Sequence, residues 1–360
     1  MTLLRRVLIM AGGTGGHVFP GLALAEHLRS KGIEVYWLGT REGLESRIVP
    51  AAGFTLYYIS VGGLRGKGLR TLLSAPFRLT VAIIQSVQHI YKLKPDVILG
   101  MGGFVSGPGG IASLLLRYPL VIHEQNTKPG FTNRILASVA KKVLEAFPYT
   151  FSLKKKVVTT GNPVRVDLLA LPLPEKRLLQ TDGRIRVLVI GGSLGAQVLN
   201  QIVPKALALL PLLERPVVYH QTGEKHFTLT QQAYQSSNVA AEIVPFIHQM
   251  DKAYAWADVV LSRSGALTIS ELCAVGLGAI LIPYPYAVDD HQTTNALFMV
   301  KHKAAILVPQ AEATAESLSI LLKELISAPQ KLLMMAQAAY CLRQENVVQN
   351  ISNILEEVYH

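Results

Sequence analysis

Cysteine is scarce in this chain of 360 residues, which contains only Cys273 and Cys341. Two cysteines provide no disulfide framework, so the sequence favours a reducing compartment such as the cytoplasm. Long apolar runs are also missing. The best candidate, residues 110–122, is interrupted by Arg117 and Pro119 and is shorter than the roughly 18 residues that span a bilayer. These absences exclude a disulfide-rich secreted domain and predict no transmembrane helix.

A secretory signal and a high content of charged residues are lacking as well. The first apolar run, Val7–Ala11, is too short for the core of a signal peptide and leads directly into a glycine loop. Only 16% of the residues are charged, whereas 50% are hydrophobic, which indicates a folded chain rather than a disordered one. The length is sufficient for two domains.

Positive charge is concentrated in one half of the chain, and the formal net charge is +11. Residues 1–163 contain 20 Lys and Arg against 7 Asp and Glu, whereas residues 164–360 contain 15 against 17. A basic half joined to a nearly neutral half indicates that one domain faces an anionic partner. Nucleic acid, an anionic membrane surface and a polyphosphate substrate all satisfy this requirement.

Short apolar runs alternate with helical segments along the whole chain. Ten of them are typical of buried strands: Val7–Ala11, Val35–Gly39, Val97–Gly100, Val121–His123, Val143–Ala146, Val187–Ile190, Val217–His220, Val259–Ser262, Ala279–Pro283 and Ala304–Val308. The alternation predicts an α/β protein with parallel sheets and helices on both faces. Because Val187–Gly195 echoes Val7–Gly15, we expect two Rossmann-like domains, facing each other across a cleft, with a boundary near Gly161–Pro163.

The glycine loops exclude two common classes of nucleotide-binding protein. Gly12–His17 does not have the Gly-x-Gly-x-x-Gly spacing, and the second strand ends at Gly39 without the acidic residue that a dinucleotide site requires. A dehydrogenase is therefore disfavoured. Gly62–Lys67 lacks the spacing of a P-loop and is followed by Gly68 where a P-loop has Ser or Thr. A nucleotide-hydrolysing motor is disfavoured for that reason.

The segment Ser262–Ala296 has the clearest chemistry in the chain. A buried strand is followed by the small residues Gly265 and Ala266 and then by helical spacing. A helix that begins there leaves unpaired N–H groups at the positive end of its dipole, with room for a phosphate. Glu271 would then accept hydrogen bonds from both ribose hydroxyls of a nucleotide. The alternative is a capping box in which Thr268 and Glu271 only satisfy the backbone.

Seven motifs, in order along the chain, resemble those of the MurG family. They are Gly12–His17, Gly100–Pro108, His123–Asn126, Gly161–Arg165, His220–Gly223, Arg263–Glu271 and Asp289–Ala296. The resemblance implies a GT-B glycosyltransferase with an N-terminal acceptor and membrane-facing domain (1–163) and a C-terminal UDP-sugar domain (164–335). A final segment (336–360) is expected to cross back to the first domain.

The activity that this resemblance implies is an inverting transfer of N-acetylglucosamine. The donor is UDP-N-acetylglucosamine, and the acceptor is the C4 hydroxyl of a lipid-diphosphate-linked N-acetylmuramoyl pentapeptide (lipid I). His17 is the predicted catalytic base, with a purely structural role as the alternative. Glu124 is a rival base, although we expect it to brace the loop that carries Asn126. The predicted substrate-binding residues are Thr14, Gly15, Gly16, Asn126, Arg165, Ser193, Ile247, Ala266, Leu267, Thr268, Ile269, Ser270, Glu271 and Gln292.

One position departs from the family pattern, and several groups that would hold a metal are missing. Leu194 follows Gly-Gly-Ser where the family usually has Gln, which puts one side-chain contact to substrate in doubt. Asp289 and Asp290 do not form Asp-x-Asp, and His220 and His226 lack ligand spacing. We therefore expect no metal site and no cofactor.

A basic and apolar stretch from Leu64 to Lys94 predicts attachment to an anionic membrane, because the acceptor's lipid tail stays in the bilayer. The basic residues are Arg65, Lys67, Arg70 and Arg78, and the apolar residues expected to touch lipid are Leu69, Leu72, Leu73 and Phe77. Pro76 is expected to start a new helix. Ile83 and Ile84 are expected to fill the core.

The expected partners are thus UDP-N-acetylglucosamine, lipid I and the cytoplasmic face of the bacterial inner membrane, and no nucleic acid. Three alternatives stay open at this point. They are a related transferase with another nucleotide sugar or lipid acceptor, a nucleotide-sugar-binding protein without catalysis, and a nucleic-acid-binding protein.

Overall fold

A computed structural model describes residues 3–62, 69–152, 155–178, 183–192 and 196–360, without the side chains of residues 69–74. The chain forms two compact units. The first comprises Met1–Arg165 together with Gln344–His360, and the second comprises Val166–Arg343. The segment that joins the first unit at the end of the chain therefore begins at Gln344 rather than at residue 336.

The first unit contains, within the described residues, a seven-stranded parallel sheet in the order β3-β2-β1-β4-β5-β6-β7. Its elements are β1 (Arg6–Ala11), α1 (Gly15–Ser30), β2 (Glu34–Gly39), α2 (Glu45–Ala51), β3 (Thr55–Tyr58), α3 (Leu69–Leu93), β4 (Val97–Gly102), α4 (Ser106–Leu115), β5 (Leu120–Glu124), α5 (Phe131–Leu136), β6 (Lys142–Glu145), β7 (Val157–Thr159) and α15 (Val347–Tyr359). The predicted α/β class is confirmed here.

Helices cover both faces of this sheet because its central strands are apolar on both sides. On β1, Val7 and Ile9 pack into a core that includes Trp37 and residues of α15. The alternate residues Leu8 and Met10 pack into a second core on the opposite face. Since successive side chains of a strand point to opposite faces, one continuous apolar run serves both cores.

The second unit has, among its described residues, a six-stranded parallel sheet in the order β10-β9-β8-β11-β12-β13. Its elements are α6 (Val166–Leu169), α7 (Pro174–Arg177), β8 (Arg186–Ile190), α8 (Gln197–Ala208), β9 (Val217–Gln221), α9 (Phe227–Ser236), β10 (Glu242–Val244), α10 (Met250–Trp256), β11 (Val259–Ser262), α11 (Ala266–Val275), β12 (Ala279–Leu281), α12 (His291–Lys301), β13 (Ala305–Leu307), α13 (Ala315–Ser327) and α14 (Pro329–Cys341). Helix α14 packs on α7, α11 and α13, and for this reason residues 336–343 stay with the second unit.

All ten predicted strands are confirmed. Three further strands, β3, β7 and β10, were not predicted from the sequence. Each lies at an edge of its sheet. Most of their residues are only partly buried, so they lack the apolar run that marks a central strand.

The prediction that Pro76 starts a helix is wrong, because Pro76 lies inside α3. A proline in a helix removes one backbone hydrogen bond, and α3 continues through it while packing against α4. The expectation for Ile84 is also wrong, since its side chain is 52% exposed. Arg65 and Lys67 lie outside the described residues, as do the side chains of Leu69, Arg70, Leu72 and Leu73. Within the described helices, none is both long and apolar enough to cross a membrane.

Strand order also locates the two places where a ligand is expected. In the first unit the chain reverses its direction of winding between β1 and β4, and in the second unit between β8 and β11. Ligands of open parallel sheets bind at such switch points, beyond the carboxyl ends of the strands. Most of the predicted site residues follow β1 or β11: Thr14 precedes α1, Gly15, Gly16 and His17 begin α1, and residues 266–271 lie in α11.

Candidate functional site

In the first unit, the loops that follow β1 and β4 touch each other. A Cβ atom on Gly103 would lie 2.3 Å from the carbonyl oxygen of Gly12, so only glycine fits at position 103. Ser106 Oγ lies 3.0 Å from Gly102 N and 3.1 Å from Met10 O. These contacts hold the two loops at the switch point of the sheet.

Glu45 braces the first glycine loop from beneath, and the sequence analysis missed it. Its fully buried carboxylate accepts hydrogen bonds from Gly13 N at 2.9 Å, Thr40 N at 2.8 Å and Thr40 Oγ1 at 2.7 Å. A Cβ on Gly12 or Gly43 would collide with it. The sequence signal that could have revealed Glu45 is the pair of nearby glycines, Gly39 and Gly43, which leave room for its side chain.

The predicted residues Thr14, Gly15 and Gly16 lie where α1 begins. Thr14 is the N-cap residue and makes no side-chain cap, while its carbonyl oxygen accepts from His17 N and Val18 N. In the described part of the chain, the N–H groups of Gly15 and Gly16 have no hydrogen-bond partner. They can therefore receive an anionic or hydroxyl group of a ligand.

His17 follows at the third position of α1, with its ring half-buried. Its Nδ1 atom lies 2.8 Å from Oε1 of Gln125. A Cβ on Gly102 would approach the ring to 2.9 Å, so the backbone of the β4 loop lies against the imidazole. Gln125 was absent from the predicted site, since nothing in its sequence position revealed that it would meet a residue 108 positions away.

Glu124 has the bracing role that we expected. Its carboxylate is 2% exposed and accepts from Asn126 N, Asn126 Nδ2, Gly130 N and Asn133 Nδ2 at 2.9–3.2 Å. With four donors around it, the carboxylate is occupied in shaping the loop that carries Asn126. This arrangement disfavours Glu124 as a base.

In the second unit, the N-terminus of α11 has no side-chain cap. Gly265 is the N-cap residue. The first intrahelical bond runs from Ile269 N to Gly265 O, which leaves the N–H groups of Ala266, Leu267 and Thr268 directed out of the helix end. The turn before the helix is held by Ser264 Oγ, which donates to Gln292 O at 2.8 Å.

The start of α11 at Ala266 rules out the capping box at Thr268, because Glu271 lies in the second turn. Glu271 is 8% exposed, and one of its oxygens accepts a 3.0 Å hydrogen bond from the hydroxyl of Tyr254 on α10. This hydrogen bond fixes the orientation of the Glu271 carboxylate.

The other predicted residues have mixed environments. The side chains of Ile247 and Ile269 are buried, so the backbone is what each can offer. Ser270 Oγ donates to Ala266 O. Gln292 Oε1 accepts from Tyr284 N, which leaves the side-chain amide of Gln292 as a donor.

Arg165 is half-buried and ends the first segment of the first unit. Ser193 and Leu194 lie outside the described residues. In the part of the chain that the structure describes, no three His, Cys, Asp or Glu residues gather as metal ligands. Catalysis without a metal stays a prediction.

Comparisons with known proteins cover both units. Residues 7–145 match the Glycosyltransferase family 28 N-terminal domain, and residues 186–353 match the Glycosyltransferase family 28 C-terminal domain. A protein of Marinobacter nauticus named UDP-N-acetylglucosamine--N-acetylmuramyl-(pentapeptide) pyrophosphoryl-undecaprenol N-acetylglucosamine transferase is 52% identical, covering 97% of this chain and 96% of its own. Its namesake in Azotobacter vinelandii is 50% identical, covering 98% of each chain.

Solved structures agree with these matches. The crystal structure of MurG from Acinetobacter baumannii superposes with a TM-score of 0.85 at 39% identity, covering 98% of this chain and 99% of that one. Anabaena HepE, solved in complex with UDP, has a TM-score of 0.66 at 15% identity over 98% of this chain and 100% of its own. At that identity the likeness to HepE shows a shared fold.

Proposed function

The chain belongs to glycosyltransferase family 28, and we propose that it transfers N-acetylglucosamine from UDP-N-acetylglucosamine to the C4 hydroxyl of undecaprenyl-diphospho-N-acetylmuramoyl pentapeptide. The reaction converts lipid I into lipid II in peptidoglycan synthesis. The observation that carries this proposal is the identity of 52% and 50%, over nearly the whole chain, to two proteins named for this transfer.

On the acceptor side, we assign the base to His17. The C4 hydroxyl of the acceptor gives its proton to the imidazole while its oxygen attacks the anomeric carbon of the donor sugar. The bond from that carbon to the diphosphate oxygen breaks, and UDP leaves with the bonding electrons. One displacement inverts the α-linked donor to a β-linked product. We assign four residues near His17 to acceptor binding. Thr14, Gly15 and Gly16 directly precede it, and Asn126 follows Gln125, which contacts the His17 ring.

On the donor side, the N-terminus of α11 stabilises the leaving diphosphate. The N–H groups of Ala266, Leu267 and Thr268 and the helix dipole favour the negative charge that develops there. Glu271 accepts from the ribose hydroxyls, the backbone of Ile247 meets uracil, and Gln292 holds sugar hydroxyls. Arg165 and Ser193 are assigned to the diphosphate.

We further propose that the protein acts as a peripheral enzyme on the cytoplasmic face of the bacterial inner membrane. Three consecutive helices of the first unit, α3, α4 and α5, pack one on the next. Each exposes large apolar side chains; they include Phe77, Ile84, Leu115, Phe131 and Ile135. Arg78, Arg117 and Lys141 add exposed positive charge. Inserted apolar groups together with cations are the combination that binds anionic bilayers.

Turnover with a labelled donor tests the proposed reaction. The purified protein, given lipid I and radiolabelled UDP-N-acetylglucosamine, is expected to form labelled lipid II and UDP in equal amounts. UDP-glucose and UDP-N-acetylgalactosamine at the same concentration should give much slower transfer. Faster transfer from either sugar would favour a related transferase, and binding of the donor without any product would favour a non-catalytic binding protein.

A further inference from the structure

Four groups of the first unit form an unbroken hydrogen-bonded chain that ends at His17. Gly161 O lies 2.9 Å from Nε2 of His123, and Nδ1 of His123 lies 3.1 Å from Nε2 of Gln125. Oε1 of Gln125 then lies 2.8 Å from Nδ1 of His17. His123 and Gln125 are 0% and 1% exposed, so water does not compete for these bonds.

The direction of this chain follows from its first member. The carbonyl oxygen of Gly161 only accepts hydrogen bonds, so Nε2 of His123 must carry a hydrogen. Burial lowers the pKa of His123 to about 4, and at neutral pH its ring therefore has one hydrogen only. The lone pair of this ring is on Nδ1.

The orientation of the Gln125 amide follows in turn. Its nitrogen faces two acceptors, Nδ1 of His123 at 3.1 Å and the carbonyl oxygen of His123 at 3.4 Å. The opposite orientation would direct the amide oxygen at both of them, which costs hydrogen bonds in a buried place. The backbone of Gln125 is held as well, because Asn162 Nδ2 donates to its carbonyl oxygen at 3.0 Å.

We infer that His123 and Gln125 are positioning residues that fix the tautomer of His17, with the hydrogen on Nδ1 and the lone pair on Nε2. The amide oxygen of Gln125 is an acceptor only, so Nδ1 of His17 has to donate to it. No described residue hydrogen-bonds to Nε2 of His17, and this atom is left to take the proton of the acceptor hydroxyl. The inference rests on the proposed function for that last step, whereas the tautomer itself does not depend on the reaction.

The test uses NMR of the full-length protein with ¹⁵N-labelled histidine, at a pH above the titration of its imidazoles. The signals of His17 are identified by their loss in His17→Gln. We expect the wild type to show a protonated Nδ1 and an unprotonated Nε2 for His17. Gln125→Met removes the acceptor and should move the population toward the Nε2-protonated form. Gln125→Glu keeps an acceptor for Nδ1–H and should retain the wild-type tautomer.

Kinetics of the same variants separate a positioning role from a structural one. Gln125→Met should lower kcat at least about tenfold, which is less than the factor of about 10²–10⁴ expected when the general base itself is removed. The KM for the donor should change little. Gln125→Glu should recover a large part of kcat. Gln85→Met is the matched control, because Gln85 also accepts from a backbone N–H, that of Ser60, in the same unit. It should leave both the His17 signals and kcat unchanged.

Two results would overturn the inference. One is a wild-type His17 protonated on Nε2, and the other is an unchanged His17 tautomer in Gln125→Met. A protein with the expected tautomer that forms no lipid II would instead contradict the proposed function and support the tautomer assignment. Circular dichroism and thermal melting verify that each variant is folded.

Discussion

Tyr254 on α10 donates its hydroxyl to the carboxylate of Glu271 on α11, over 3.0 Å and with both side chains buried. A carboxylate that has lost its water needs donors for its lone pairs. The hydroxyl of Tyr254 supplies one such donor and fixes the orientation of the carboxylate, which lies in the second turn of α11. This relationship makes Glu271 a preformed acceptor.

Replacing Glu271 by Ala should weaken UDP binding by about 1.5–3 kcal/mol, the range for hydrogen bonds to a charged group. It should also lower the melting temperature, because the hydroxyl of Tyr254 loses its acceptor. Tyr254→Phe is the matched control, since it removes the brace and keeps the carboxylate. Calorimetric titration with UDP should show a much smaller loss for Tyr254→Phe. Equal losses in the two variants would argue against a ribose contact.

Replacing His17 by Ala should reduce kcat by about 10²–10⁴-fold, because a base that removes the hydroxyl proton is lost. UDP affinity should stay close to that of the wild type, since His17 is not among the residues assigned to UDP. Steady-state kinetics and UDP titration measure the two effects. His89→Ala, which alters another half-buried histidine of the first unit, serves as the control. Normal turnover by His17→Ala would return His17 to a structural role.

Replacing Gly102 by Ala should impair catalysis through the His17 ring. Gly102 has φ of +99°, and its new Cβ would come within 2.9 Å of the imidazole. Gly32→Ala is a stringent control, because Gly32 also has positive φ, +79°, but a Cβ there would meet nothing within 4 Å. Both variants should lose about 1 kcal/mol or more of stability from backbone strain. Only Gly102→Ala should lower kcat, and an equal fall in Gly32→Ala would contradict the contact with His17.

Acid should destabilise the protein through its buried histidines. Burial lowers the pKa of His220 to about 3 and that of His123 to about 4, below the value of about 6.5 in the unfolded chain. Between these values the unfolded state binds more protons, so the free energy of unfolding falls as the pH falls from about 6.5 toward 4. In His220→Gln the decrease over this range should be smaller by about 3 kcal/mol. Urea unfolding at several pH values measures this decrease. Identical pH dependences in the wild type and in His220→Gln would contradict a lowered pKa of His220 in the folded state.

Replacing both Phe77 and Ile84 by Ser should reduce co-sedimentation with anionic vesicles. The two side chains are 72% and 52% exposed on α3, and each is expected to insert into the bilayer interface. Adding Arg78→Glu should reduce binding further, more at low salt than at high salt. Leu213→Ser is the control, because Leu213 is 92% exposed on the second unit. The membrane assignment fails if the wild type does not bind anionic vesicles, or if Leu213→Ser releases the protein as readily as the α3 variants.

Much of the fold and part of the site could be predicted from local sequence patterns. The central strands were found because burial on both faces demands an uninterrupted apolar run. The edge strands β3, β7 and β10 were missed because partly exposed strands do not need an uninterrupted apolar run. The start of α11 at Gly265 and Ala266 was predicted because small residues between a strand and helical spacing are a local signal. The helix start predicted at Pro76 was wrong, because a proline is a local signal for a helix start and α3 continues through it.

By itself, the sequence determined the α/β class, the two units, the family motifs and the residue types at each site. Only the tertiary structure decided which distant residues meet: Glu45 beneath the first glycine loop, Tyr254 beside Glu271, and the path from Gly161 through His123 and Gln125 to His17. Apart from the contact between His123 and Gln125, these contacts join residues that are 17 to 108 positions apart. They depend on strand order and on burial. A hydrogen bond has a direction only when both partners are in place, so neither the protonation of His17 nor the orientation of Glu271 could be read from either residue alone.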